Sequence, residues 1–171
     1  DISTGEEKKI SSHTKYFSPD ISHDGNSIAA VQMKENLQSD LVVMDLEGSV
    51  HNRFSNTAHL VYSYPKFTKD DKYLFVFIRN DQGAMGIEKI NITDGKIENM
   101  LPLANRIIGY PVVKGDTLLY TCSNNGRDEI YAYVNSSNKI YQIANFATGL
   151  YQASLTKEGK IVSSAFTSSG Y

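Results

Sequence analysis

The phrase PDISHDGNSIAAV, Pro19 to Val31, returns three times along the chain, and no other feature narrows the possible folds as far. It aligns with PKFTKDDKYLFVF from Pro65 and with PVVKGDTLLY from Pro111, whose middle is shorter. A last copy, ASLTKEGKIVSSA from Ala153, has lost the proline. Successive copies start 46, 46 and 42 residues apart. A second landmark keeps nearly the same step: Asp1, Asp45, Asn91 and Asn135 each close a strand-like run and precede a turn, 44, 46 and 44 residues apart. Self-similarity at such a period is the mark of a repeat architecture.

Each unit reads as four short strands, a to d. In the first unit the spacing predicts a near residues 20–22, b near 28–32, c at 40–45 and d near 50–54. Between a and b stands Asp24-Gly25, a dipeptide that supplies the positive φ of a tight hairpin. Its counterparts are Asp70-Asp71, Gly115-Asp116 and Glu158-Gly159. Between c and d stand Thr4-Gly5, Glu47-Gly48, Asp94-Gly95 and Ser137-Asn138, whereas the b–c connections, such as Asn80 to Met85 and Asn124 to Arg127, are longer and polar. Apolar runs such as Leu74 to Ile78 are continuous rather than alternating, as a strand buried on both faces requires. A four-stranded antiparallel unit at this period implies an all-β fold of β-propeller blades, stacked because one blade cannot bury two apolar faces alone. The blades are expected at about 12–55, 58–101 and 104–144. Strand d of a preceding blade is expected in 1–11, near residues 8–11, and strands a and b of a following one in 148–171. With three complete blades, the chain is expected to be a segment of a longer propeller.

Ser18 to Ala29, SPDISHDGNSIA, followed by SDLVVMDLEG at Ser39 to Gly48, resembles the TolB-type propeller repeat. Asn52-Arg-Phe-Ser55 fits the family's strand d, Arg127 to Tyr133 matches in part, and Gly86 to Ile90 departs from the strand c phrase. The resemblance implies a bacterial envelope setting, periplasm or cell surface, and a non-catalytic platform that binds a protein or peptide. The same repeat also occurs in peptidase propellers, which implies the alternative of a domain gating substrate access to a prolyl-oligopeptidase-type or metallopeptidase partner domain.

Composition excludes several other classes. Lys and Arg number 17 against 19 Asp and Glu, a net charge of -2, so no basic excess suits nucleic acid. No apolar run approaches the roughly 18 residues of a membrane span. The single Cys122 allows no intrachain disulfide and reads as a small buried hydrophobe. His13, His23, His51 and His59 lack metal-ligand spacing. His23 reads as a solvated turn residue. Neither a nucleophile elbow nor a phosphate-cradling glycine loop occurs, and Asn124-Asn-Gly126 reads as a turn, so no catalytic residue, metal or cofactor is expected. Paired carboxylates for glycoside chemistry are missing from strand a apart from Asp20. Asn91-Ile-Thr and Asn135-Ser-Ser fit the glycosylation acceptor pattern.

The candidate binding residues are aromatic and cationic. Phe17, Tyr64, Tyr110 and Tyr151 fall just before each expected strand a, near the mouth of the channel. There they would stack on an extended peptide, or else pack between neighbouring blades. Arg79, Arg106 and Arg127 lie in b–c or d–a connections, expected to share one face with those rings and to receive an acidic segment.

Overall fold

Positive backbone angles fall at the turns of the repeat. Gly25, Asp71, Gly115 and Gly159 have φ of 75°, 55°, 60° and 82° between a and b, and Gly5, Gly48, Gly95 and Asn138 have 72°, 90°, 72° and 52° at the c–d positions. The computed structural model describes residues 3–35, 38–56, 59–123, 126–165 and 167. Asp1, Ala58, Asn124, Asn125 and Tyr171, which carry parts of the repeat reading, lie outside the described residues.

Between the turns run fourteen strands among the described residues. The first sheet is β1 (Lys15–Ile21), β2 (Ser27–Met33), β3 (Ser39–Asp45) and β4 (Val50–Ser55). The second is β5 (Val61–Phe67), β6 (Tyr73–Arg79), β7 (Met85–Asn91) and β8 (Ile97–Ala104). The third is β9 (Ile107–Lys114), β10 (Thr117–Ser123), β11 (Asp128–Val134) and β12 (Lys139–Ala144). A hairpin, β13 (Leu150–Leu155) and β14 (Ile161–Ala165), forms the fourth. Every sheet pairs its strands antiparallel in chain order. The first strands of successive sheets are neighbours: β1 lies against β5, β5 against β9 and β9 against β13.

The core lies between the sheets, and β6 shows how one strand serves two interfaces. Leu74, Val76 and Ile78 join Ala29, Val31, Leu41 and Val43 of the first sheet. Phe75 and Phe77, pointing the other way, join Leu118, Tyr120, Cys122 and Tyr133 of the third. Leu119, Ile130 and Ala132 then meet Ala153 of the fourth. Period-two alternation with both faces apolar is what makes the run continuous. The Val, Leu, Ile and Phe side chains among these core residues contribute about 1.5–3 kcal/mol each when fully buried.

Two expectations are corrected. The inner strand begins well before the proline, at Lys15 rather than Asp20. A β-bulge makes this possible: Phe17 pairs with Val31 and Asp20 with Ala29, so Ser18 and Pro19 together face Ala30. The bulge removes the need for the N–H that proline lacks. The same shift occurs at Tyr64-Pro65, Tyr110-Pro111 and Gln152-Ala153. Residues 8–11, expected as a strand d, are not a strand, because no described strand c supplies the ladder. The segment nevertheless follows that course. A Cβ on Gly48 would collide with the Ile10 carbonyl oxygen, just as Phe54 of β4 lies against Gly95 of the next sheet.

Candidate functional site

The bulges recur in the first strand of every sheet, where successive sheets meet. Ser18, Tyr64, Tyr110 and Gln152, one in each inner strand, have φ of 51°, 51°, 54° and 48°. Such angles are uncommon for non-glycine residues, and three of these residues precede a proline, which restricts them further. Four strained residues at one repeat position mark a shared local device.

This register divides the four candidate rings. Tyr64 and Tyr110 occupy the bulge and are 41% and 45% exposed. Phe17 and Tyr151 sit one position earlier, outside the bulge, and are half-buried. Phe17 packs on the core between the first and second sheets, and the Tyr151 carbonyl accepts from Ser163 Oγ at 2.5 Å. All four lie inside the strands rather than before them. The Tyr64 ring also meets Phe77 of the neighbouring strand edge-on, centroids 6.1 Å apart, which anchors the ring while it stays exposed. Beside Tyr110, an open cavity of about 500 Å³ is bounded by Pro111, Gln152, Ala153 and Ser163.

The arginines also separate. Arg79 ends β6, paired with Val61 at the start of β5 and Met85 at the start of β7, and is exposed. Arg127 is exposed at the same end of the third sheet, 3.6 Å from Glu129. Arg106 does not stand with them. It folds back, its Nη2 donating to the Pro102 carbonyl at 3.2 Å, and its Nε is buried with no acceptor among the described residues. Burial pushes the Cys122 thiol up, and the neighbouring Arg106 charge opposes that shift.

Of the histidines, His23 is not simply solvated. Its Nδ1 lies 3.0 Å from Asp71 in the next sheet. His51 in β4 lies 3.3 Å from Asp45, and His13 and His59 are exposed in connections. Among the described residues no three His, Cys, Asp or Glu side chains converge as a metal site. Asn91 and Asn135 are both half-buried, and Asn135 Oδ1 accepts from Lys89 of the second sheet at 3.2 Å.

Sequence reading missed a set of buried acids at the start of strand c. Asp40 is 1% exposed and is bound by Lys34 and Arg53, each at 2.9 Å. Glu129, two repeats later, accepts from Gln142 at 2.8 Å and Tyr131 at 3.2 Å. The second sheet has Gly86 at the matching register, where a Cβ would lie 2.5 Å from the Leu101 carbonyl oxygen. In β7, burial pushes the Glu88 carboxyl up and leaves its Oε2 unpartnered among the described residues. Burial first, and then Glu88 and Asp40, push the nearby Tyr62 hydroxyl up to about 12.

No protein-family model matches the sequence, and no curated protein matches it either. Solved structures do match. TolB from Acinetobacter baumannii superposes with a TM-score of 0.67 at 19% identity, over 90% of this chain and 38% of its own. A protein described as TolB from Agrobacterium tumefaciens gives 0.68 at 18% identity, over 86% of this chain and 54% of its own. A Mycobacterium tuberculosis puromycin-hydrolyzing peptidase gives 0.68 at 14% identity, over 88% of this chain and 28% of its own. The chain therefore spans well under two thirds of the length of each. What it shares with TolB and with peptidase propellers is the fold: three four-stranded blades and an inner hairpin of a fourth, a partial β-propeller.

Proposed function

We propose that this chain is part of a non-catalytic β-propeller platform of the bacterial envelope, periplasmic or at the cell surface, that binds an extended protein or peptide segment along its inner strands. The observation that carries this reading is the repeated bulge. It presents Tyr64 and Tyr110, both exposed, at equivalent positions of adjacent inner strands, with the Tyr64 ring anchored against Phe77. Rigid aromatic rings beside an open cavity suit peptide recognition, since they add contact area at little entropic cost. The test is peptide selection against the full chain, followed by Tyr64→Ala and Tyr110→Ala. Each is expected to weaken the selected peptides about tenfold, the value of roughly 1.4 kcal/mol. Unchanged affinity in both variants overturns the reading.

The second part of the proposal is that the loop face carrying Arg79 and Arg127 favours acidic segments. Reversal of both charges, Arg79→Glu with Arg127→Glu, is expected to slow association with an acidic peptide and to flatten its salt dependence, because rim charges act mainly on the on-rate. Equal association rates at low salt would remove that face from the proposal.

A peptidase propeller is the alternative, favoured by the likeness to the puromycin-hydrolyzing enzyme. On that reading the channel admits substrate to a hydrolase domain. Covalent labelling by a fluorophosphonate of a protein that carries this chain together with such a domain supports it over the platform.

A further inference from the structure

Three junctions join the four sheets at their a–b turns, and they are closed differently. At the first, Asp71 reaches back from the second sheet, and its carboxylate accepts from the His23 amide at 2.9 Å and the Asp24 amide at 3.1 Å. At the third, Lys114 Nζ reaches forward to the carbonyls of Thr156 and Lys157. At the second, no hydrogen bond or close ion pair from a described side chain spans the two turns, and only the Lys69 charge acts across it on Asp116. The third turn is shorter than the second, and its left-handed residue is Gly115 (φ 60° against 55° at Asp71), which has no side chain to reach back. A cavity of about 280 Å³ lies there instead, lined by Thr68, Lys69, Asp70, Phe75, Gly115 and Asp116.

The turn that borders this cavity is built like the one Asp71 occupies. In the first turn Asp24 Oδ1 accepts from Ser22 Oγ at 2.6 Å and from the Asn26 amide at 3.0 Å. In the second, Asp70 Oδ1 accepts from Thr68 Oγ1 at 2.7 Å and from the Lys72 amide at 3.3 Å. Lys69 and Asp70 thus stand where His23 and Asp24 stand. Among the described residues the Lys69 amide has no acceptor, and the Asp70 amide meets only its own carboxylate.

We propose that this inter-blade cavity binds a carboxylate-bearing ligand, whose carboxylate takes at the Lys69 and Asp70 amides the place that Asp71 takes at His23 and Asp24, with its apolar stem against Phe75 and Val113. The molecule itself supplies the template for the site. Lys69 adds a cation where the first turn has a histidine. Two anions border the site, and both are occupied. Asp70 is turned to Thr68 and Lys72, as Asp24 is turned to its own neighbours beside the Asp71 carboxylate. Asp116 accepts from the Ser136 amide at 2.9 Å. Hydrogen bonds from Ser136 hold Asp116 below the usual carboxylate range, with Lys69 contributing. The proposal concerns the a–b turns rather than the channel and stands apart from the peptide-binding reading.

The probe is hexanoate, followed through the amide resonances of Lys69, Asp70 and Gly115 in the full chain, with hexylamine as the control of opposite charge. Hexanoate is expected to shift those amides saturably and hexylamine to leave them in place. Gly115→Asp places a carboxylate at the left-handed position of the third turn, as Asp71 does in the second. A Cβ there meets nothing within 4 Å, and Asp71 shows that aspartate holds this backbone angle. This variant is expected to lose the hexanoate response. Lys69→Glu, at an exposed position, is expected to weaken it independently. A capped peptide with one glutamate between leucines distinguishes the sources: tighter binding than hexanoate assigns a protein segment, weaker binding a small free acid. No saturable shift, an equal response to hexylamine, or an undiminished response in both variants overturns the proposal.

Discussion

Phe77→Ala is expected to destabilise the protein by about 3–5 kcal/mol, the range for removing a large buried aromatic side chain. Phe77 is 0% exposed at the centre of β6. Its ring meets Tyr64 at 6.1 Å and Tyr120 at 6.3 Å, both edge-on, so it links the inner strand of one blade to the second strand of the next. The loss has two parts, the transfer of the ring to water and the cavity left between two sheets that are each pinned by their own hydrogen-bonded ladders. Those ladders prevent the gap from collapsing, which places the effect at the upper end. Total stabilities are only about 5–15 kcal/mol, so a change of this size dominates the balance. Phe77→Leu, which keeps most of the volume, is expected to cost about 1 kcal/mol. Urea unfolding of the full chain separates the two, and a Phe77→Ala loss no larger than that of Phe77→Leu would show that the inter-blade interface is not closely packed. Because Tyr64 leans on Phe77, the alanine variant also frees the Tyr64 ring, so peptide affinity should fall with stability.

The repeat itself was legible because turns need particular residues. Gly25, Gly48 and Gly95 stand where the backbone takes positive φ, and each appears at its period in the sequence. The run from Leu74 to Ile78 likewise announced a strand buried on both sides. The register of the inner strand was not legible, since a bulge inserts one residue and moves every side chain before it to the other face. Counting back from the nearest ring therefore grouped Phe17 and Tyr151 with Tyr64 and Tyr110. Counting back from the proline separates them, and a proline repeated inside a strand was the available signal for a bulge. Arg106 could not be distinguished from Arg79 by loop position, because only tertiary packing turns it toward Cys122. Asp71 read as half of a turn dipeptide. Its reach to His23 depends on how closely two blades approach, a distance that local sequence does not encode. The same holds for Asp20, which read as a lone carboxylate but accepts from Lys66 Nζ at 2.6 Å and the Phe67 amide at 3.0 Å in the next blade.

Asp40→Asn should remove about 2 kcal/mol at neutral pH, and the loss should vanish in acid. Asp40 is buried at the start of β3, with Lys34 on one oxygen and Arg53 on the other. Breaking a fully buried pair costs about 3–5 kcal/mol, because a charge is stranded away from water. Here Lys34 and Arg53 are 38% and 40% exposed, so water reclaims part of their charge and the cost falls below that range. Burial raises the Asp40 carboxyl, but hydrogen bonds from Lys34 and Arg53, the Lys34 charge and a hydrogen bond from Ser55 outweigh it and hold the group below the usual carboxylate range. A carboxyl depressed in the folded state contributes stability that is complete above its unfolded value of about 3.9 and is lost as pH falls through the folded value. The gap between parent and variant should therefore stay constant from neutral pH down to about pH 5 and close progressively below about pH 4. Thermal or urea unfolding across that interval measures it directly. A gap that widens in acid would mean that the carboxyl is raised in the folded protein, with burial prevailing over Lys34 and Arg53.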